Sequence, residues 1–354
     1  MRRRAMVMGL PAAALAGKVA PPMQRGLAPR TFVFPRDHGA HAELRTEWWY
    51  LTGHGVNQDR LFGFQVTFFR SRVDATQALE SRFAARQLVF AHAAVTDVRD
   101  GKLLHDQRIA REGFDIAAAS QDDTRIHVRD WSLIRDSGSY RARMNASGFS
   151  LSLNCAITQP VLLQGRAGLS RKGPAAEQAS YYYSQPQLDV AGTLSLGNQP
   201  FTVAGKAWLD HEWSEALLHP MAVGWDWIGM NLDDGSALTA FRLRRADGST
   251  LWSGGSFRAR GGSSRNFADG EVGFEAQRLW TSPMSRARYP VQWQVGTPVD
   301  MYTVKALVDD QELDSRASTG AIYWEGLSDL FDSAGRKVGR GYLEMTGYTQ
   351  RLRL

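Results

Sequence analysis

The sequence predicts an all-β protein made of two barrel-like halves. Three observations carry that prediction. Short segments alternate apolar and polar residues with the period of two that a half-buried strand requires. Turn dipeptides separate these segments at short, fairly regular spacing. The chain, at 354 residues, also exceeds the roughly 100–200 residues of one ordinary domain.

Residues 1–30 hold Arg2, Arg3, Arg4, Lys18, Arg25 and Arg30 and no acid. The leading arginines precede an apolar run over 5–16 that closes on Ala14-Leu15-Ala16, a small-x-small cleavage pattern, so the segment reads as an export signal cut near Gly17. Arg3-Arg4 also fits a twin-arginine signal loosely. A periplasmic or secreted location is therefore expected. No later stretch has the roughly 18 consecutive apolar residues of a transmembrane segment.

Beyond the prolines at 21, 22, 29 and 35, the strand signals begin. Phe62, Phe64, Val66 and Phe68 share one face; Phe149, Leu151, Leu153, Cys155 and Ile157 share another. Asp100-Gly101, Ser147-Gly148, Gly197-Asn198, Asp234-Gly235 and Asp247-Gly248 mark turns. Hairpins so spaced argue for an antiparallel meander closing into a barrel or sandwich. Helical spacing is confined to residues 78–86, where a turn or two of helix is expected. Residues 164–179, Gly-rich, basic and polar, read as a long exposed loop leading into Tyr181-Tyr182-Tyr183. Residues 214–220 break the strand pattern. A boundary there gives a signal and tail over 1–30, a first barrel over 31–214 and a second over 215–354.

Composition narrows the function. With 43% hydrophobic and 22% charged residues the chain can bury a full core. The formal net charge is +6, and the six basic residues of 1–30 account for all of it. The remainder balances to zero, so no basic domain is left to neutralise phosphates, and nucleic acid is not an expected partner. Eleven Trp, ten Tyr and sixteen Phe suit thick cores or a pocket for a hydrophobic ligand. The single Cys155 excludes an intramolecular disulfide and a cysteine-based zinc site. There is no His-Glu-x-x-His, no phosphate loop, no dinucleotide glycine fingerprint and no Gly-x-Ser-x-Gly elbow, so no motif calls for a cofactor or metal.

Four clusters stand out: Glu47-Trp48-Trp49-Tyr50; Trp208 with Asp210, His211, Glu212 and Trp213; Gly224-Trp225-Asp226-Trp227; and Gly341-Tyr342 with Glu344 and Tyr348. Strand alternation puts His211 on a face with Leu209 and Trp213, and Asp210 and Glu212 on the other with Trp208. Asp226 shares its face with Ile228, Met230 and Leu232. A carboxylate in an apolar row is unusual, because burying its charge is costly. Desolvation would raise its pKa and make it a proton donor; equally, it could answer an arginine across the barrel. His211 is either a hydrogen-bonded core residue or a base whose tautomer an acid fixes. Adjacent strand residues point apart, so Asp210, His211 and Glu212 cannot chelate one ion together. His38, His41 and Glu43 form a second, weaker metal candidate. His92 shares a face with Phe90 and is structural or pocket-lining. Of the three consecutive tyrosines at most two rings can line one cavity.

In this order, the Glu47–Tyr50 run, Tyr181-Tyr182-Tyr183-Ser184-x-Pro186, Trp208–Trp213, Gly224–Trp227 and Gly341–Tyr348 resemble the family of hydroxyneurosporene synthase (carotenoid hydratase) and AttH-like proteins. The match spans nearly everything beyond residue 31, and the set is more specific than any one piece. The resemblance implies two lipocalin-like β-barrels in tandem. It implies a chemistry ranging from hydration of isolated double bonds to shaping of polyene cyclisations. An exported chain departs from hydratases that meet carotenoids from inside the cell.

The expected function is to hold, and to transform, an isoprenoid or other lipid-like molecule. In that scheme Asp226 is the proton donor and His211 or Asp210 the base. Ligand contacts come from Glu47, Trp48, Trp49, Tyr50, His92, Tyr182, Trp213, Trp225, Glu344 and Tyr348, with Trp213, Trp225 and Tyr50 facing a carbocation. Two other classes stay open: a periplasmic carrier of a hydrophobic ligand without chemistry, and a docking partner of an envelope or transporter complex. The catalytic reading requires His211 and Asp226 to face one cavity.

Overall fold

The computed structural model of the chain describes residues 26–352 apart from Leu217; the export signal expected within 1–25 lies outside the described residues. Among these residues there is no α-helix, only strands and two single turns of 3₁₀ helix, Arg36–His38 and Asp74–Thr76. The strands form two antiparallel sheets, one of 13 strands from Thr46–Asn57 to Gln199–Ala216, the other of 10 from Gly224–Leu232 to Lys337–Met345. They are two lipocalin-like β-barrels in tandem.

In each sheet the first strand pairs with the last: Thr46–Asn57 with Gln199–Ala216, and Gly224–Leu232 with Lys337–Met345. The far ends of the first sheet also approach one another, since Gln87–Asp97 and Lys102–Arg111 contact Ala117–Ala119 and Arg125–Val128. Curling a sheet onto itself hides its edges.

The alternating rows fall where their periodicity puts them. Phe62, Phe64, Val66 and Phe68 are buried inside the first barrel with Phe149, Leu151, Leu153 and Cys155. Ile228, Met230 and Leu232 are buried inside the second. A third cluster, with Tyr50, Trp208, Trp227, Phe241, Leu327 and Tyr342, lies between the barrels. At the turns, Gly101 and Gly148 adopt φ of +60° and +88°, a region that glycine enters without a Cβ clash.

Two local expectations fail. Residues 78–86 are not helical; so short a segment cannot recover the cost of nucleating a helix. Instead Thr76 Oγ1 and Gln77 Nε2 donate to the carbonyls of Val73, Ala85 and Arg86, closing the segment as a loop. Nor are residues 164–179 an exposed loop. Leu169–Arg171 pairs with Ala179–Leu196, and Gln164, Ser170, Lys172 and Gln178 are buried. Gly165 and Gly168, at φ of +60° and +94°, let the chain double back so that Gly168 N–H donates to Gln164 O at 3.0 Å.

Candidate functional site: a carboxylate-lined cleft between the barrels

Where the outer faces of the two sheets meet they leave a cleft of about 800 Å³, its open mouth included. Strand alternation decides what enters it. From Thr46–Asn57 come Thr46, Trp48 and Tyr50; from Gln199–Ala216, Asp210 and Glu212; from Gly224–Leu232, Trp225 and Trp227. Gln65, Thr67 and Phe69 continue the first-barrel wall, and Phe241, Leu243, Tyr323, Glu325 and Glu344 complete the second. Tyr182 stands between them, and Lys172 leans in from the doubled-back segment.

Four carboxyl groups and one ammonium therefore share an aromatic cleft. Asp210 takes hydrogen bonds from Tyr182 Oη at 2.8 Å, Ser184 Oγ at 2.5 Å and Trp208 Nε1 at 2.7 Å. Burial still pushes its carboxyl up to about 7, against those three donors. Glu212 pairs with Lys172 Nζ at 3.0 Å and accepts the Ser180 hydroxyl. The ammonium lies over the rings of Phe241 and Tyr182, 4.3 and 4.8 Å from their centroids.

Glu325 differs from the others. It is buried, and neither of its oxygens has a hydrogen-bond partner among the described residues; the Tyr50 hydroxyl is likewise unpartnered. Its cross-strand partner is Glu344, which takes one hydrogen bond, from Trp225 Nε1 at 2.8 Å. Burial, then the charge of Glu344, holds Glu325 well above the usual carboxylate range. Burial raises Glu344 to about 7, with Asp210 and Glu212 adding to the effect. Two like carboxyls side by side in a desolvated site cannot both ionise, so the pair retains a proton at neutral pH.

Of the residues singled out in the sequence, Trp48, Tyr50, Tyr182, Asp210, Trp225 and Glu344 line this cleft. The others do not, and alternation is the reason. Glu47, Trp49, His211 and Trp213 point into the first barrel. There Glu47 accepts His41 N–H, His41 Nδ1, His211 Nε2 and Arg70 Nε, each at 2.8 Å. His211 stacks on Trp49 at 4.6 Å and His41 on Trp213 at 4.0 Å. Burial depresses His211 to about 4, with Glu47 opposing that effect, so His211 is a neutral donor to Glu47 rather than a base in the cleft.

Asp226 and Tyr348 point into the second barrel. Asp226 meets Arg242 Nε at 2.7 Å and Arg244 Nε at 3.0 Å, and accepts Tyr348 Oη at 2.8 Å. The expected neutral proton donor is therefore an ion-paired carboxylate, and His211 and Asp226 occupy separate interiors. His92 lies behind the wall, Nδ1 at 2.9 Å from Tyr323 Oη and Nε2 at 2.8 Å from Ser318 Oγ.

The triad His38, His41 and Glu43 is split: His38 bonds Tyr183 Oη at 2.7 Å and Glu43 is exposed. The ligand atoms of His41, Glu47 and His211 lie within 4.8 Å of one another. A cation there would have to displace both histidine–carboxylate hydrogen bonds while facing the Arg70 guanidinium on the same carboxylate.

Sequence reasoning passed over Glu325 and Lys172. The signal for Glu325 was present: it sits on a strand face with Tyr323 and Leu327, the same carboxylate-in-an-apolar-row pattern that drew attention to Asp226. Lys172 gave none, since a lone lysine in a Gly-rich stretch looks like any solvated one.

Fold and site together define a tandem lipocalin-like barrel protein with an aromatic, carboxylate-lined cleft between its barrels. A family model described as AttH-like matches residues 25–348, and the chain belongs to that family. It is 45% identical to an AttH from Nitrosomonas europaea of known crystal structure, over 91% of this chain and 100% of that one, at a TM-score of 0.85. Two more distant structures share the fold. Kievitone hydratase from Nectria haematococca is 12% identical, covering 90% of this chain and 93% of its own, at a TM-score of 0.69. CghA is 13% identical, covering 91% and 95%, at a TM-score of 0.54. No curated protein matches in sequence.

Proposed function

We propose that the protein binds a hydrophobic, isoprenoid or lipid-like molecule in the cleft and adds water across one of its carbon–carbon double bonds. The observation that carries this reading is the Glu325–Glu344 pair: two cross-strand carboxyls, desolvated, one with no hydrogen-bond partner, opening into an aromatic cleft. Protonating an unactivated alkene demands a strong donor held neutral where the ligand lies. Glu325 gives its proton to one alkene carbon. The cation left on the other is stabilised by the ring faces of Trp48, Tyr50, Trp225 and Trp227. Water attacks that carbon, and its surplus proton returns to the carboxylate pair, so the net change is alkene plus water to alcohol. Asp210 fixes the Tyr182 hydroxyl and is a positioning residue. That a protein of this fold is named a hydratase agrees with the reading.

The test is Glu325→Gln, with lipid extraction and mass spectrometry on both proteins. The expected result is a ligand retained by both, and a product 18 mass units heavier (about one water, the defining increment of hydration) only with the parent. Because Glu325 and Glu344 are raised by burial, turnover should fall as pH climbs above about 7, when the pair loses its last proton. Equal turnover by Glu325→Gln would remove the mechanism. A ligand recovered unchanged from both proteins would make the cleft a carrier's pocket.

A further inference from the structure

At the end of the first barrel beyond the cleft, the surface is apolar where loops are normally polar. Phe83 is 64% exposed, Leu79 50%, Ile109 42% and Phe114 41%. Phe83 and Phe114 stack on each other, centroids 5.5 Å apart and planes 12° apart. Arginines are interleaved: Arg111 lies over both rings, at 4.4 and 5.5 Å, and Arg82 over Phe114 at 5.4 Å.

Phe114 and Asp115 form the tip of a tight turn closed by Ile116 N–H to Gly113 O at 3.1 Å, both with φ near +57° and +56°. Such a turn is normally built from Asn and Gly, because the left-handed region is disfavoured for other side chains. Here an unfavourable backbone holds a phenylalanine out in solvent, the kind of local cost that marks a functional surface.

The charges also lack partners. Arg82, Arg86, Arg111 and Arg129 make no ion pair among the described residues. The neighbouring acids Asp74 and Asp130 are taken by Arg72 and Arg108, and half-buried Glu112 accepts Ala119 N–H at 3.3 Å. Glu80 and Asp115 are left as the exposed acids beside four unpaired arginines.

The patch is continuous with the cleft. Trp48 and Phe69 line the cleft; Phe69 pairs across strands with Phe90, and Phe90 with Ile109. Directly opposed residues share a sheet face, so this row runs without a polar break from the cleft wall to the exposed patch.

We infer that this end of the first barrel docks on an anionic phospholipid surface through Phe83, Phe114 and the surrounding arginines. Exposed aromatics set among unpaired cations fit the headgroup boundary, where rings reach acyl chains and guanidinium groups meet phosphate. A protein partner would require an apolar groove or flat face, and these residues are loop tips. The docking stands on the patch alone; the row adds that a lipid-like ligand has an apolar route from bilayer to cleft, a statement that rests on the function proposed above.

The experiment co-sediments the full chain with vesicles of phosphatidylcholine, alone or with about one quarter phosphatidylglycerol. Binding is expected only to the anionic vesicles and should weaken as salt is raised. Arg82→Gln with Arg111→Gln should lower the partition coefficient about fivefold per arginine. Phe83→Ser with Phe114→Ser should lower it about tenfold or more. Both variants should keep the parent circular dichroism and the ligand content of the cleft. Equal partition onto neutral and anionic vesicles overturns the inference, as does undiminished binding by the folded Phe83→Ser, Phe114→Ser variant. If neither vesicle binds while the patch mediates self-association in sedimentation velocity, it belongs to a protein contact instead. Failure of turnover in Glu325→Gln would leave this result untouched.

Discussion

Replacing Glu47 by Gln tests whether the interior polar network, rather than the cleft, is what the Glu47–Tyr50 run is built around. The carboxylate accepts four hydrogen bonds at 2.8 Å, two on each oxygen: His41 Nδ1 and His211 Nε2 on Oε1, His41 N–H and Arg70 Nε on Oε2. Every partner is buried, and the Arg70 side chain is 1% exposed, so solvent screens little. An amide presents one acceptor and one donor group, and its NH₂ must face two donors wherever it points. Removing one member of a buried ion pair costs about 3–5 kcal/mol. Arg70 retains Gln87 Oε1 at 2.7 Å and the carbonyls of His41 and Leu44 at 2.8 Å, which places the loss near the lower end, about 3 kcal/mol. With a urea m-value of about 3 kcal/mol/M, the midpoint should fall by about 1 M. Near-ultraviolet circular dichroism should change as well, because His211 and His41 stack on Trp49 and Trp213. A loss below about 1 kcal/mol would mean that the network contributes no more than a surface pair, and the reasoning would be wrong.

Asp226→Asn should destabilise the second barrel by about 3 kcal/mol, since Arg242 and Arg244 lose their buried counter-charge, while cleft ligand content stays at the parent level; loss of turnover without loss of stability would restore Asp226 as an acid. Acid should unfold the protein early. Burial lowers His211 to about 4 and His38 and His92 to about 3, so the unfolded chain binds protons that the folded one refuses. The stability these groups contribute is full above about 6.5 and drains as pH falls from there towards 4, and urea midpoints at a series of pH values would reveal a flat profile if the histidines were solvated. The mature chain should begin near Gly17 outside the cytoplasm, as N-terminal sequencing from a periplasmic fraction would establish; an intact Met1 in the cytosol contradicts it.

The fold was legible because it rests on local signals. Period-two rows such as Phe62 to Phe68 require only neighbours in sequence to declare a face, and Asp-Gly or Ser-Gly turns require only two residues. The site was half legible for the same reason. Alternation assigned Asp210 to one face and His211 to the other before any coordinates were known, and both assignments hold. What alternation cannot say is which face is the barrel interior. That depends on pairings between distant strands, such as Glu325 with Glu344 or Asp226 with Arg242. Asp226 and Glu325 carry the same local signature, and what separates them is that one faces two arginines on the next strand and the other faces a second glutamate. Lys172 required more still, the doubling back of residues 164–171 onto the second barrel, which includes Ser256 Oγ donating to Gln164 Oε1 at 2.8 Å.

The Glu47–Tyr50 run and the Asp210–Trp213 run pair directly across strands, Glu47 with Trp213, Trp48 with Glu212, Trp49 with His211 and Tyr50 with Asp210. Each pair joins residues of one face, so the double strand splits into an inner layer of Glu47, Trp49, His211 and Trp213 and a cleft layer of Trp48, Tyr50, Asp210 and Glu212. The inner layer is saturated: Glu47 has four donors, and both histidine rings are stacked. The cleft layer is not, with the Tyr50 hydroxyl unpartnered beside Glu325. An unsatisfied polar group in a buried site is costly and persists where something else supplies its partner. A saturated layer directly behind it keeps the open groups from collapsing onto one another, because the shared backbone has no slack to yield. Acids and histidines alternate along these two strands for that reason: one face of a single ladder holds the barrel rigid, and the other keeps its polar groups free for a ligand.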